Sequence, residues 1–132
     1  MELIRASKVT PNRLYKLVDT NHSIDVEKLL LDGYVIKQSD RLEGCFVLEN
    51  TTENRLWLRQ MYITKDAVTS LPALLEAILA LAENEQTDVI IHSHHETLDT
   101  VLEALQFFQQ AKPEPVDNLV DNSGKWWIYK VS

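Results

Sequence analysis

The fold of this chain is most readily predicted from residues 55–86, which read RLWLRQMYITKDAVTSLPALLEAILALAENEQ. A strand pattern over residues 55–64 gives way to apolar residues at helical spacing, and these share one face of the predicted helix: Leu71, Leu74, Leu75, Ile78, Ala82. The three glycines of the chain are Gly33, Gly44 and Gly124, so none lies between this strand and this helix. The absence matters because a glycine-rich turn at such a junction commonly binds phosphate.

The residues before this stretch predict two helices and further strands. Strands are expected at residues 2–6, 34–38 and 44–49, and polar turns between the later ones predict an antiparallel meander that continues into residues 55–64. One helix should open near Thr10 with Pro11 in its first turn, and another should cover residues 24–31. We expect Gly33 to end that second helix in the left-handed conformation that glycine readily adopts.

The residues after this stretch predict a buried strand, a helix and a final strand. Val89, Ile90 and Ile91 are apolar on both faces of the chain, which is typical of a central or parallel strand. Helical spacing of apolar residues extends over residues 97–109. A turn at residues 121–124 then precedes an aromatic strand at residues 125–131.

Composition indicates one globular domain covering residues 1–132, with 45% apolar and 8% aromatic residues. The formal net charge of −7 argues against nucleic acid and against an anionic membrane surface, and it favours a cationic or neutral partner. A lone cysteine, Cys45, permits no intrachain disulfide and suits a reducing compartment; it is expected to be a buried apolar residue. With no signal-peptide pattern and no long apolar run, a cytoplasmic protein is expected.

Four segments carry a resemblance to a known family. They are GCFVL (44–48), LRQMYI (58–63), ALLEAI (73–78) and LEALQF (102–107). In these segments and in the order of its elements, the chain resembles the GNAT superfamily of acyl-CoA N-acyltransferases. The resemblance implies that the four segments are, in order, the third strand, the fourth strand, the helix beside the pyrophosphate and a Tyr-x-x-Leu-Gly-Phe segment. The resemblance implies an α/β (α+β) single domain: a mixed, largely antiparallel sheet of six to seven strands flanked by helices.

The resemblance also implies an activity and a cofactor. It implies transfer of an acetyl or acyl group from acetyl-CoA, or another acyl-CoA, to an amine of a small molecule or peptide, and it allows a homodimer. In this family the backbone of the fourth strand pairs with the pantetheine arm, here at Met61, Tyr62 and Ile63. A Gln/Arg-x-x-Gly-x-Gly/Ala turn then binds the pyrophosphate.

The chain departs from the family pattern at that turn, where residues 64–72 read TKDAVTSLP. Without glycine, the cofactor-binding groups expected here are the dipole of the following helix, the cation of Lys65, and Thr69 and Ser70 at its start. Pro72 removes one further N–H donor. A second departure is Leu102 at the position of the family's proton-donating tyrosine, since leucine cannot donate a proton. The alternative is therefore a catalytically inactive binding or regulatory module with the same fold.

The candidate catalytic residues are His94, His92 and Glu49. HSHHE (92–96) follows the buried strand, at the end where open α/β sheets often bind ligands. A neutral imidazole there could take the proton from an attacking amine, and His92 and His94 share one face of the extended chain. Glu49, placed at the end of the third strand, is a second candidate base.

Two other interpretations of the histidines are open. They could instead cap the strand and the next helix by bonding backbone groups. A metal site would need a third ligand such as Glu96 or Asp99, and because no zinc spacing is present, none is expected.

Overall fold

The computed structural model describes residues 1–19, 24–52, 54–111 and 124–131. The strands are β1 (Glu2–Arg5), β2 (Gly33–Gln38), β3 (Arg41–Thr52), β4 (Arg55–Ile63), β5 (Asp88–Ser93), β6 (Phe108–Gln110) and β7 (Lys125–Tyr129). The α-helices are α1 (Pro11–Val18), α2 (Val26–Asp32), α3 (Leu71–Glu85) and α4 (Glu96–Ala104), and two 3₁₀ helices cover Ala6–Lys8 and Lys65–Ser70. No helix in these ranges is long and apolar enough to cross a membrane.

The seven strands form one sheet in the order β1-β2-β3-β4-β5-β7-β6. β2 pairs antiparallel with β1 and with β3, and β7 pairs antiparallel with β5 and with β6. β4 and β5 are parallel, with Arg55 opposite Asp88 and Leu58 opposite Ile91. The predicted mixed, largely antiparallel sheet is confirmed, and so is the parallel strand at residues 89–91.

The chain divides into two compact units, of which the first contains Met1–Leu48 and Arg59–Leu74. In its core, α1 and α2 pack on β2 and β3. The buried residues of this core are Ala6, Leu14, Val18, Leu29, Val35, Cys45 and Val47. Thr10 precedes α1 with Pro11 at the first helical position, as predicted. At the start of α2, Asp25 Oδ1 accepts hydrogen bonds from the backbone N–H groups of Glu27 and Lys28.

The second unit contains Glu49–Leu58 and Leu75–Ser132. Trp57, Ile90, Trp126 and Ile128 form a buried cluster in it. Alternate residues of a strand face opposite sides of the sheet, and Trp127 accordingly donates from Nε1 to Asp99 Oδ1 of α4 at 2.9 Å. Trp126 and Trp127 are both buried, so both act as packing residues. The single-domain assignment for residues 1–132 stays a prediction.

The predicted end of the last helix is wrong. α4 ends at Ala104 rather than Gln109, because Gln106 has a φ of +71° and the Phe107 N–H returns to the Leu102 carbonyl at 3.0 Å. Phe108 and Gln109, which the sequence assigned to that helix, instead belong to β6 and pair with β7. Of the turn predicted at residues 121–124, only Gly124 is among the described residues, and its φ is +80°.

Gly33 does not adopt the left-handed conformation predicted for it. Its φ is −104°, in the extended region, and it begins β2. Glycine is needed there for space, because a Cβ would overlap the carbonyl oxygen of Leu29. β3 is also longer than predicted, since it begins at Arg41 after a tight turn in which Ser39 and Asp40 have φ values of 50° and 64°.

Candidate functional site

The carboxyl-terminal half of β4 is the part of the chain where the pantetheine-binding backbone was expected. Met61, Tyr62 and Ile63 follow Leu58, the last residue of β4 paired in register with β5. Gln60, which lies between Leu58 and Met61, has a φ of +55°, in the left-handed region. Its Oε1 accepts a hydrogen bond of 2.8 Å from the N–H of Asp25, which fixes this part of β4 to the start of α2.

The end of β4 is fastened to β3 by a buried carboxylate. Glu43 is 8% exposed and accepts a hydrogen bond from the hydroxyl of Thr64. The backbone adds a second link, from the Thr64 N–H to the Glu43 carbonyl at 2.9 Å. Arg41 Nε lies 3.6 Å from Glu43 Oε1. Sequence analysis missed this pair, because a glutamate between strand residues and a threonine at a strand end carry no pairing signal.

The segment expected to bind pyrophosphate is a 3₁₀ helix over Lys65–Ser70 rather than an open turn. Two N–H groups here are used internally: Ala67 donates to the Thr64 carbonyl at 3.1 Å, and Leu71, directly after the segment, donates to the Val68 carbonyl. Because these donors are occupied, the segment does not reproduce a phosphate-binding glycine turn. The missing glycines are visible in the sequence, but the 3₁₀ helix was not predicted.

The three predicted cofactor-binding side chains of this segment have different surroundings. Lys65 and Thr69 are exposed, whereas Ser70 is half-buried. Ser70 Oγ accepts a hydrogen bond of 3.2 Å from Gln38 Nε2 at the end of β2. Lys65 is therefore the residue best placed to meet an anion from solvent, and Ser70 is already engaged in joining the segment to the sheet.

The predicted catalytic histidines lie where β5 ends. The half-buried His92 ring is stacked on the Trp126 ring with centroids 4.2 Å apart. The exposed His94 ring also contacts the His92 ring, with its centroid likewise 4.2 Å from the His92 centroid. Gly124 packs against His94, since a Cβ there would lie 2.8 Å from His94 Nδ1. The structure thus brings His92 and His94 together and leaves the second imidazole accessible.

His95 makes no side-chain cap for α4, although capping was one interpretation of these histidines. The turn is instead closed by buried Ser93, whose Oγ donates to the His95 carbonyl at 3.2 Å and accepts from the His95 N–H at 3.4 Å. Among the described residues, no group of three or more His, Cys, Asp and Glu side chains could hold a metal ion.

The structure also gives the positions of Glu49 and Leu102. Glu49 is a half-buried residue within β3, which continues to Thr52, so its predicted place at a strand end is wrong. Leu102 is fully buried in α4, where it acts as a core residue.

Comparisons with known proteins were made by sequence and by structure. No family model and no curated protein matches the sequence. Solved structures do match: a GNAT-family acetyltransferase from Staphylococcus aureus Mu50 has 10% identity and a TM-score of 0.73, covering 99% of both chains. Campylobacter jejuni N-acetyltransferase PseH has 13% identity and a TM-score of 0.74, covering 99% of this chain and 98% of its own.

A third match was solved with ligands. N-acetylglutamate synthase from Neisseria gonorrhoeae, in complex with coenzyme A and N-acetyl-glutamate, has 11% identity and a TM-score of 0.72; the match covers 99% of this chain and 35% of the synthase. The described architecture and these matches define an acyl-CoA N-acyltransferase fold. More specifically, the chain has the fold of the GNAT superfamily, as its sequence predicted.

Proposed function

We propose that this protein is an acyl-CoA-dependent N-acetyltransferase that transfers an acetyl or acyl group to an amine of a small molecule or peptide in the cytoplasm. The observation that carries the proposal is the fold, which solved acetyltransferases share over 99% of the chain at TM-scores of 0.73 and 0.74. Among the described pairings of this chain, β4 and β5 are the parallel neighbours. Fold alone does not fix chemistry, so the residues of the site must fit the reaction as well.

The residues fit acetyl-CoA in one half of the site and not in the other. The backbone of Met61, Tyr62 and Ile63 would pair with a pantetheine arm, because such pairing depends on main-chain groups rather than on side chains. The 3₁₀ helix does not fit a pyrophosphate gripped by backbone N–H groups. We therefore assign phosphate contact to the exposed cation of Lys65, and Thr69 and Ser70 of the same segment are further candidates.

Bound acetyl-CoA would supply an acyl thioester, and the chain would supply proton transfer. His94 is the proposed base, because its imidazole is accessible and can take a proton from the acceptor amine at a ring nitrogen. His92 would position it, since its ring contacts both His94 and Trp126. Glu49 is retained as a weaker candidate base.

Calorimetric titration with acetyl-CoA, CoA and acetyl-pantetheine tests the cofactor assignment. We expect saturable binding of acetyl-CoA and, because the backbone turn is missing, at most about a tenfold loss of affinity for acetyl-pantetheine, equivalent to ~1.4 kcal/mol. Lys65→Gln should reproduce most of that loss, whereas the matched control Lys8→Gln, also at an exposed lysine, should not. An absence of binding at several hundred micromolar ligand would reject the proposal.

A thiol-release assay with a panel of amines tests the catalytic assignment. His94→Ala should lower kcat by about 10²- to 10⁴-fold, the usual contribution of a general base, while leaving the dissociation constant of acetyl-CoA unchanged. His95→Ala is the matched control, because His95 is also exposed and adjacent in sequence. Equal rates for both variants would remove His94 from the mechanism.

The second candidate function is a binding or regulatory module that keeps the fold without the chemistry. Two observations favour it specifically: the occupied N–H groups of the 3₁₀ helix and the fully buried Leu102 where a tyrosine would donate a proton. It predicts no acyl-CoA binding and no acetyl transfer to any amine in the same experiments.

A further inference from the structure

The first unit contains a pocket of about 590 Å³ beside α1 and the end of β4. Its lining residues come from α1, the β2–β3 turn, the start of β3 and the end of β4 with the residue after it: Arg13, Lys16, Leu17, Asp40, Arg41, Leu42, Tyr62, Thr64. A pocket of this volume lies within the range that holds a metabolite-sized ligand. Tyr62 and Thr64 place it at the strand segment to which we assign the pantetheine arm.

The lining is cationic although the chain as a whole carries a net charge of −7. Three cations, Arg13, Lys16 and Arg41, line the pocket together with one acidic residue, Asp40. Asp40 already pairs with Lys37, its Oδ1 lying 3.6 Å from the lysine Nζ. The pocket therefore holds more positive than negative charge.

Two of the three cations have no carboxylate partner in the described structure. The Arg13 guanidinium donates to the backbone carbonyl of Asp40 at 3.2 Å, which fixes its position without neutralising its charge. Lys16 makes no hydrogen bond or ion pair with any described residue. Arg41 is shared with Glu43 at 3.6 Å, and its side chain is 73% exposed. A guanidinium held beside an unpaired ammonium suits a carboxylate or phosphate group.

We propose that this pocket binds the carboxylate or phosphate group of the acceptor, so that the acceptor is an amine carrying an anionic group. The binding of an anion follows from the pocket itself, whereas its assignment to the acceptor rests on the proposed acetyltransferase function. The net charge of the chain favours the opposite partner, but an exposed ligand responds mainly to charges within about 10 Å, the screening length at 0.1 M salt.

Binding is tested without cofactor by following backbone amide shifts during titration with O-phosphoethanolamine, glutamate and neutral ethanolamine. O-phosphoethanolamine and glutamate should shift the amides of α1 and residues 39–42 saturably and should bind more tightly than ethanolamine. Their affinity should fall as NaCl rises from about 20 to 300 mM. Lys16→Gln should weaken both about three- to tenfold, the range for one partly screened charge contact. Arg13→Gln/Lys16→Gln should weaken them further.

The matched control removes the same two charges elsewhere, in Lys8→Gln/Lys130→Gln, where both lysines are exposed and neither lines the pocket. Because Lys16 has no hydrogen-bond or ion-pair partner among the described residues, Lys16→Gln should fold normally. Equal weakening in the control variant, or no saturable shift of these amides by either anionic amine, would overturn the inference.

Acetyl transfer separates the inference from the proposed function. With acetyl-CoA, Lys16→Gln should raise KM for O-phosphoethanolamine or glutamate at nearly unchanged kcat and leave KM for ethanolamine alone. Anion binding that depends on Lys16 in a protein that binds no acetyl-CoA would keep the pocket and reject the acetyltransferase. If the protein binds acetyl-CoA but binds no anionic amine, the acetyltransferase is kept and the pocket is rejected. Competition between CoA and O-phosphoethanolamine would assign the pocket to the cofactor's phosphates instead.

Discussion

Replacing Thr64 by valine should destabilise the protein by about 1.5–2.5 kcal/mol, because the change removes the hydroxyl that donates to the buried Glu43 carboxylate. A hydrogen bond to a charged group contributes about 1.5–3 kcal/mol, and a buried acceptor left without its donor also loses solvation that water cannot restore. Valine keeps the shape of threonine, and the backbone bond from residue 64 to the Glu43 carbonyl is retained. The nearby Arg41 compensates little, because its side chain is 73% exposed and the 3.6 Å pair is screened by solvent.

Urea unfolding at pH 7 measures this loss, and a thermal scan should show the midpoint falling by about 5–8 °C for a chain of this size. Thr64→Ser keeps the donor and should recover most of the stability. Thr69→Val, at an exposed position of the adjacent 3₁₀ helix, should change it by less than about 0.5 kcal/mol. A double-mutant cycle with Glu43→Gln should give a coupling energy of about 1 kcal/mol or more. A Thr64→Val variant as stable as Thr69→Val, or a cycle without coupling, would refute the reasoning.

Two further predictions concern side chains in the sheet. Burial raises the pKa of the Cys45 thiol from its ordinary value of 9.0 to about 12, so native protein at pH 8 should react with iodoacetamide only through unfolding, and fast labelling would contradict the burial. Because the folded pKa is the higher one, the stability contributed by the neutral thiol is complete below pH 9 and is lost between pH 9 and 12, which urea titrations at pH 8 and 10.5 would detect. Trp127→Phe removes the donor to Asp99 and should cost about 0.5–1.5 kcal/mol more than Trp126→Phe, since the buried Nε1 of Trp126 has no hydrogen-bond partner among the described residues. Equal losses of unfolding free energy in the two variants would show that the bond to Asp99 contributes nothing net.

The central elements could be predicted because their sequence patterns are long and agree with their burial. Leu74, Leu75 and Ile78 of α3 recur at helical spacing and are buried, and Val89–Ile91 is apolar on both faces and buried in β5. The fold could be predicted for the same reason, because the spacing of apolar residues in these elements indicates which face of each is buried.

The end of α4 could not be predicted, because apolar spacing continues past the point where the helix stops. Leu105 and Phe108 extend the helical pattern, yet Gln106 takes a φ of +71°, a conformation usually signalled by glycine or asparagine. β6 exists because β7 offers it backbone partners, and β7 begins 17 residues after Phe108. Such pairing leaves no local trace in the sequence.

The candidate site was predictable only where it follows from strand position. The order of the elements placed residues 61–63, which lie in β4, and it placed His92 and His94, of which the first lies in β5 and the second directly after it. The cationic pocket was not, because Arg13 and Arg41 are brought together by the β2–β3 turn, and their side chains carry no motif. Charge counted along the whole chain obscured a local excess of the opposite sign.

The outermost strands of the sheet, β1 and β6, constrain how two copies could associate. β6 has only three residues, and β1 has four, among them the charged Glu2 and Arg5. Short or charged outer strands are poor templates for continuing a sheet into a neighbouring molecule, which protects a protein from fibrillar aggregation. As far as the described strands go, these edges favour a homodimer built from side-chain surfaces, such as the one around Phe108, which is 65% exposed, over one that extends the sheet across two copies.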